Sequence, residues 1–331
     1  MLRLPRVKYI GFALVLAAVS ATAAKPFQAH AQTKPDVRIA TGTAGGAYYA
    51  MGAVFADTLQ RSGKFGSATS EAASGGIESA RLVVSKQATL AAMDANWVKN
   101  GRLGKPPFDK PLDLVTIVPL GVWQLFFITL DASPIRSLDD LKGKRVAVGA
   151  KGSGMEAHAR VVLGAIGLSF DDVRPMYLAF GAGATALREG KADAQLQCCL
   201  PQASLTELTE LAKARAVTVG SEHMTKVIAS EGVYSDGILA KGAFKGHEQD
   251  TRTIEILNAF VGSATLDEST AYLIAKTFLE NLDAMTEKSA QYRSVVRLVT
   301  EAKQKGVKVL DMGAPLHPGS LRAFKEAGIV K

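Results

Sequence analysis

Two segments of the sequence share one design, and that design restricts the chain to a small set of folds. Each consists of a short apolar strand, a turn rich in glycine and hydroxyl side chains, and an amphipathic helix. The first unit has its strand at residues 37–40, its turn at 41–46 and its helix at 47–59. The second has its strand at 145–148 and its turn at 149–154. Strands that alternate with helices predict an α/β protein with a mainly parallel sheet.

Further units of the same kind follow along the chain and favour this fold class. Predicted helices lie at residues 77–84, 155–166, 205–214, 250–261, 266–281 and 320–326. Predicted strands lie at residues 88–93, 173–180, 192–197 and 216–220. The 331 residues are enough for two packed lobes.

The longest apolar stretch, residues 114–130, indicates where the chain passes from one lobe to the other. Pro119 and Gly121 lie in its middle and disfavour a single helix. We predict two successive strands that are separated at these residues, and a return to the first lobe with the strand at 216–220. This interpretation divides the chain into a first lobe of residues 32–121 with 221–331 and a second lobe of residues 122–220.

The first 31 residues have the pattern of a cleavable secretory signal. Three basic residues precede the apolar stretch 9–24, and small residues at alternating positions follow it. This order is typical of an export signal. A membrane anchor is disfavoured, because 16 apolar residues are short for a span of about 20. We expect cleavage after Ala31, with Ala23 as the alternative, and a mature protein in the periplasm.

Much of the net charge of +8 belongs to this N-terminal segment. Residues 1–31 contain 4 of the 39 Lys and Arg residues and none of the 31 Asp and Glu residues, so the remaining chain has a net charge of +4. Its basic residues are scattered, and no basic stripe or helix predicts nucleic-acid binding. Neither Gly-rich turn has a nucleotide motif, and no cofactor is expected.

The sequence offers little for catalysis or metal binding. The five His residues are scattered, without the spacing of a metal site. Ser153 lacks the G-x-S-x-G frame of a nucleophile elbow. Cys198 and Cys199 are neighbours, so they cannot join distant segments. Two buried, reduced thiols are expected, with a vicinal disulfide as the alternative.

The two Gly-rich turns are the candidate binding elements. Glycine lets the backbone approach a ligand closely, because it has no Cβ atom. The first N–H groups of the following helix have no intrahelical partners and lie at its positive end, where they bind a carboxylate or a similar anion. One such turn in each lobe predicts a cleft that holds a small anion from both sides.

Several motifs resemble those of the TAXI group of TRAP transporter solute receptors. The most specific is Thr41-Gly42-Thr43-Ala44-Gly45-Gly46-Ala47-Tyr48-Tyr49. Others lie at residues 75–82, 90–96, 138–149, 152–154 and 190–194, in the family's order. Together they extend over residues 37–200. The segment that follows Asp193 departs from the family pattern, so the identity of the ligand is not carried over.

The resemblance implies a type II periplasmic binding protein, a Venus flytrap whose two α/β lobes are joined by two crossover hinge strands. Such a receptor, expected to be monomeric, captures a small carboxylate or amino acid, typically glutamate-like, and delivers it to a TRAP membrane permease. The family pattern implies three groups of ligand-binding residues. The first-lobe wall has Thr41, Thr43, Gly45, Gly46, Tyr48, Asp94 and Asn96; the crossover has Trp123 and Gln124; the second-lobe wall has Ser153, Gly154 and Met155.

Two other functions are compatible with the sequence. A receptor of the same fold can present its ligand to a sensor protein instead of a permease. An enzyme that depends on the thiols of Cys198 and Cys199 is the second alternative, and the sequence disfavours it because it contains no recognisable base or nucleophile motif. Replacement of both cysteines by serine separates this enzyme from a receptor, since the enzyme would lose its activity.

Overall fold

The computed structural model describes Leu2 and residues 33–42 and 46–331. The predicted signal peptide and residues 43–45 of the first Gly-rich turn lie outside the described residues. The strands are β1 (Val37–Ala40), β2 (Ala68–Glu71), β3 (Leu90–Asp94), β4 (Leu114–Leu130), β5 (Arg145–Ala147), β6 (Arg174–Met176), β7 (Ala194–Cys198), β8 (Ala214–Ala216), β9 (Tyr234–Leu239) and β10 (Thr251–Ser263). The helices are α1 (Ala47–Arg61), α2 (Gly76–Val84), α3 (Ala95–Leu103), α4 (Gly154–Ala165), α5 (Phe180–Arg188), α6 (Ala203–Leu211), α7 (Ser221–Glu231), α8 (Glu268–Glu280), α9 (Leu282–Lys288), α10 (Tyr292–Lys305) and α11 (Pro318–Glu326).

The strand order confirms a two-lobed α/β fold and repeats one arrangement twice. The strands lie in the order β2-β1-β3-β10-β4-β7-β5-β6. In the first lobe, β1 pairs in parallel with β2 and β3, and β10 then adds to β3 in the antiparallel direction. In the second lobe, β5 pairs in parallel with β6 and β7, and β4 adds to β7 in the antiparallel direction.

The strands β4 and β10 cross between the lobes side by side. Their antiparallel pairing extends from Ile254 opposite Leu125 to Ser263 opposite Leu114. The prediction of two strands in residues 114–130 is wrong, because β4 is continuous. The register shifts where Gly121 faces Asn258, as in a β-bulge. Such an irregularity accommodates Pro119, which has no N–H group for the ladder.

The segment 250–261, predicted as a helix, is most of the strand β10. It lies between two partners, because β10 pairs with β3 and β9 on one side and with β4 on the other. A strand buried on both faces has a nearly continuous apolar sequence without a clear period of two. The spacing of the apolar residues therefore does not distinguish a strand of this kind from a buried helix.

The strand β9 and the first half of β10 lie beside elements of the second lobe. After β8, the helix α7 packs on α4, and β9 pairs with the part of β10 that includes residues 251–256. That part of β10 lies opposite the second-lobe half of β4. We therefore propose that the boundary between the lobes lies after Gly121 in β4 and before Asn258 in β10, which assigns residues 122–257 to the second lobe.

Candidate functional site

A cavity of about 640 Å³ lies between the two lobes. Volumes of about 300–1,000 Å³ are typical of small-molecule sites. The lining residues come from both lobes and from the crossing strands. The first lobe supplies Gly42, Gly46, Ala47, Tyr48, Ser74, Gly75, Gly76, Asp94 and Trp97; the second supplies residues 149–155, His158, residues 178–180, Gln195, Leu196, Cys198, Cys199 and Gln202; and the crossing strands supply Trp123, Leu125, Ile256 and Asn258.

Helices from both lobes begin at this cavity. In the first lobe α1 follows Gly46 and α2 follows Gly75, and neither residue caps its helix with a side chain. In the second lobe α5 follows Ala179, also without a side-chain cap. The Ser153 hydroxyl does cap α4, where it accepts the N–H of Glu156 at 3.3 Å. The first N–H groups of these helices favour an anion at the cavity.

The starts of α2 and α4 meet at the indole ring of Trp97. A Cβ atom at Gly76 would lie 3.2 Å from Cδ1 of Trp97, and one at Gly154 would lie 3.1 Å from its Nε1. Glycine at both positions permits this approach. Trp97 is 4% exposed, and among the described residues its Nε1 has no hydrogen-bond partner. A helix start from each lobe and an unpartnered donor therefore lie together.

Asp94 connects the lobes and caps a helix. Its Oδ1 accepts the N–H groups of Asn96 at 3.0 Å and Trp97 at 3.2 Å, at the start of α3. Its Oδ2 lies 3.4 Å from Nε2 of His158 in α4. The Nδ1 atom of His158 lies 2.9 Å from the hydroxyl of Tyr234 in β9. Asp94, His158 and Tyr234 thus form a buried series of polar contacts from the first lobe to the second. Both carboxylate oxygens of Asp94 take part in polar contacts.

Tyr48 links α1 to the crossing strands. Its hydroxyl donates to Oδ1 of Asn258 at 2.6 Å, and its ring contacts that of Trp123 with the centroids 4.6 Å apart. Burial raises the pKa of Tyr48 well above its ordinary value, and the negative charge of Asp94 raises it further. The phenol therefore stays neutral and acts as a hydrogen-bond donor.

Apolar side chains of three neighbouring strands form a surface that we call the apolar floor. Ile256 of β10 lies directly opposite Trp123 of β4, and Leu125 of β4 lies directly opposite Cys198 of β7. Residues directly opposite each other, and residues two apart in a strand, point to the same face of a sheet. These four side chains therefore share one face, and all four residues line the cavity.

Cys198 and Cys199 form a vicinal disulfide, so the expectation of two reduced thiols is wrong. In an extended strand, neighbouring side chains point to opposite faces and would stay apart. Here β7 ends at Cys198, and Cys199 has a φ angle of +65°, in the left-handed region. This change of direction at the strand end brings both cysteines to the cavity, where they continue the apolar floor.

Of the twelve residues that the family pattern implied, seven line the cavity: Gly46, Tyr48, Asp94, Trp123, Ser153, Gly154 and Met155. Thr43 and Gly45 lie outside the described residues. Ligand contact by any of these residues stays a prediction.

The other three predicted residues are engaged elsewhere. The Thr41 hydroxyl donates to the carbonyl of Glu71 at 2.8 Å. Asn96 is 1% exposed and does not line the cavity. Gln124 lies on the face of β4 opposite to Trp123, where it donates to Glu255 at 2.8 Å. The alternation of side chains along β4 thus separates Trp123 from Gln124.

Trp97, His158 and the start of α2 were not among the predicted site residues. Two local signals were available. Asp94 followed by a helix is a typical N-cap, and this cap fixes the position of Trp97 three residues later. Ser153 and Glu156 have the spacing of a capping box, which marks the start of α4. Glu156 accepts the N–H of Gly152 at 2.6 Å, so that amide is not available to a ligand.

Residues 33–42 and 46–331 contain no group of three or more His, Cys, Asp or Glu side chains arranged to hold a metal ion. Among the helices that the structure describes, none has the length and apolarity that a membrane crossing requires.

Three buried tyrosines predict a loss of stability at alkaline pH. Burial is the main cause that raises the pKa of Tyr48, Tyr234 and Tyr292. Above about pH 10, the ordinary tyrosine value, the unfolded chain releases these protons while the folded chain retains them. The free energy of unfolding therefore falls as the pH rises. Thermal unfolding at pH 9 and pH 11 measures this fall.

The variant Tyr292→Phe removes one of these groups and is expected to lose less stability between the two pH values than the wild type. The control is Tyr49→Phe, because Tyr49 is 36% exposed. An equal loss in wild type and Tyr292→Phe would contradict the prediction.

Two α/β lobes, two crossing strands and a cavity lined from both sides define the fold class of the bilobed periplasmic solute-binding proteins. The chain belongs to the NMT1-like family, whose model matches residues 39–328.

Solved structures with this fold have low sequence identity to the chain. A protein of Bordetella bronchiseptica RB50 is 14% identical with a TM-score of 0.53, over 89% of this chain and 98% of that chain. MatC from Rhodopseudomonas palustris, solved with bound malate, is 14% identical with a TM-score of 0.51, over 84% of this chain and 99% of that chain. The periplasmic aliphatic sulphonate binding protein SsuA from Escherichia coli is 17% identical with a TM-score of 0.43, over 88% of this chain and 83% of that chain. At these identities the similarity concerns the fold.

Proposed function

We propose that the protein is an extracytoplasmic solute-binding receptor that closes around a small carboxylate, or an amino acid through its carboxylate. The observation that carries this proposal is the meeting of the starts of α2 and α4 at Trp97. Each helix contributes the partial positive charge of its first N–H groups. Since one helix belongs to each lobe, an anion bound between them stabilises the closed form more than an open one.

Delivery to a TRAP-type permease is the role that the TAXI-like motifs favour. The Gly-rich motif that precedes α1 and the motif at residues 152–154 both adjoin the cavity, since Gly42, Gly46 and Gly154 line it. The apolar N-terminal segment agrees with a periplasmic receptor. MatC, a protein of the same fold, was solved with the small dicarboxylate malate. A small carboxylate is therefore a reasonable first ligand class to test.

The test is a thermal-shift screen of the purified protein with carboxylates, amino acids and aliphatic sulfonates. A ligand that binds only the folded state stabilises it by about 2.7 kcal/mol at a concentration of 100 Kd. We expect at least one carboxylate to raise the melting temperature, and X-ray scattering to detect a more compact protein in its presence. A screen in which no anion changes either quantity would contradict the receptor function.

The disulfide at the cavity supports a second candidate, a thiol–disulfide enzyme. Cys198 and Cys199 both line the cavity, where a bound thiol substrate would meet them. The variant with Cys198→Ser and Cys199→Ser distinguishes the two functions. A receptor retains binding of small carboxylates in this variant, whereas a thiol–disulfide enzyme loses all oxidation of a thiol substrate.

A further inference from the structure

The cavity has few acidic and basic side chains, and two of them already contact each other. Among the described residues that line it, the ionisable acids and bases are Asp94, Lys151 and His158, and no arginine is present. Asp94 and His158 face each other, and the remaining oxygen of Asp94 caps α3. An amino-acid ammonium group therefore meets no available carboxylate. A second carboxylate has Lys151 as its only side-chain cation among these residues.

The remaining wall is largely apolar. The apolar floor of Ile256, Trp123, Leu125 and Cys198 extends across three strands. Apolar residues of the second lobe that also line the cavity are Met155, Leu178, Phe180 and Leu196. Charged groups that lose water against such a surface are destabilised, whereas apolar groups gain about 0.8 kcal/mol for each buried CH₂. The volume of the cavity and its apolar lining fit a ligand with an extended apolar part.

An anionic head has one well-defined place in the same cavity. The Nε1 donor of Trp97 is buried next to Gly154 at the start of α4, and no acceptor for it lies among residues 33–42 and 46–331. The start of α2 approaches the same ring at Gly76. A carboxylate bound beside this ring would lie at the positive ends of two helices.

On these grounds, and resting on the proposed receptor function, we propose that the preferred ligand is a monocarboxylate with a long aliphatic or aromatic body, not a glutamate-like dicarboxylate. Its carboxylate lies at Trp97 between the starts of α2 and α4. Its body lies against the apolar floor and the Cys198–Cys199 disulfide, whose sulfur atoms make favourable contacts with apolar and aromatic groups.

The experiment is calorimetric titration of the full protein with matched acids. One series is butanoate, hexanoate, octanoate and 3-phenylpropanoate; the other is succinate, adipate, suberate and glutamate. Affinity is expected to rise about fourfold for each added CH₂ in the first series, which is the fold-change that corresponds to about 0.8 kcal/mol. Each diacid is expected to bind at least about tenfold more weakly than the monoacid of equal length, because its second carboxylate would lose water against the floor.

The outcomes separate this inference from the function on which it rests. Tighter binding of glutamate or of a diacid than of the matched monoacid would overturn the inference and leave the receptor function intact. An affinity that does not change with chain length would overturn it as well. Absence of binding throughout both series and the wider anion screen would overturn both.

Variants of the floor give an independent measurement. Ile256→Thr places a hydroxyl on the floor while it keeps a β-branched side chain. The matched control is Ile238→Thr in β9, where the side chain is 51% exposed. We expect Ile256→Thr to weaken octanoate binding about tenfold and butanoate binding less than threefold, and Ile238→Thr to change neither. Equal weakening of both acids by Ile256→Thr would contradict contact between the body and the floor.

Discussion

Replacement of His158 by phenylalanine is expected to weaken ligand binding about 100-fold, which corresponds to about 2.8 kcal/mol. His158 is 4% exposed, and its Nε2 lies 3.4 Å from the buried carboxylate of Asp94. Removal of the hydrogen-bond partner of a buried polar group costs about 1–3 kcal/mol, and more for a carboxylate, because that group is left unsatisfied. Separation of the lobes returns Asp94 to water, so the cost falls mainly on the closed, ligand-bound form. Calorimetry with the best-binding acid measures it.

A pair whose carboxylate is exposed provides the control. The side chain of His223 is 15% exposed and lies 3.3 Å from Asp139, whose side chain is 69% exposed. The variant His223→Phe is expected to change binding and stability by less than about 1 kcal/mol. The double variant Asp94→Asn with His158→Phe should recover part of the lost affinity, since asparagine still caps α3 and leaves no stranded charge. Wild-type affinity in His158→Phe would show that the pair does not hold the lobes together.

Replacement of Gly121 by alanine is expected to lower the free energy of unfolding by about 3–5 kcal/mol, from steric overlap and backbone strain together. Gly121 has a φ angle of +94° at the point where β4 passes between the lobes. A Cβ atom there would lie 2.0 Å from Oγ and 2.9 Å from the carbonyl carbon of Ser294. Because a backbone atom of α10 is involved, rotation of the serine side chain does not relieve the overlap.

The variant Gly143→Ala measures the free-energy cost of a positive φ angle without steric overlap. Gly143 has a φ angle of +74°, and a Cβ atom there would have nothing within 4 Å. Its replacement is expected to cost about 1–2 kcal/mol. Chemical unfolding of both variants measures the difference. Equal destabilisation by the two substitutions would mean that α10 does not approach β4 closely at Gly121.

Helices with an apolar stripe could be predicted well from the sequence. Met51, Phe55 and Leu59 have helical spacing, and all three are fully buried on one face of α1. The same signal was present in α10 and was overlooked, since Val295, Leu298, Val299 and Ala302 are buried at spacings of three and four.

The crossing strand β10 could not be assigned in the same way. Its residues are buried by strands that come from distant parts of the chain, such as Leu125 opposite Ile254. The local sequence contains no information on that pairing. For the same reason, the local sequence does not locate the second crossing between the lobes.

The candidate site likewise has some features that the local sequence predicts and others that depend on the folded structure. Gly46 and Gly154 were predicted because a Gly-rich turn before a helix has a local physical meaning. The apolar floor depends on which residues of β10, β4 and β7 lie opposite one another, and this register is a property of the folded sheet. The contact of Trp97 with the second lobe is likewise a tertiary feature that no local pattern encodes.

The proposed boundary at Gly121 and Asn258 has a consequence for biogenesis. The second lobe is a continuous segment, whereas the first lobe receives its central strand only when residues 258–263 are inserted between β3 and β4. During synthesis from the N-terminus, the second lobe can therefore fold before the first lobe is complete. Until then the β3 edge has unsatisfied backbone groups, which is the kind of edge that promotes aggregation.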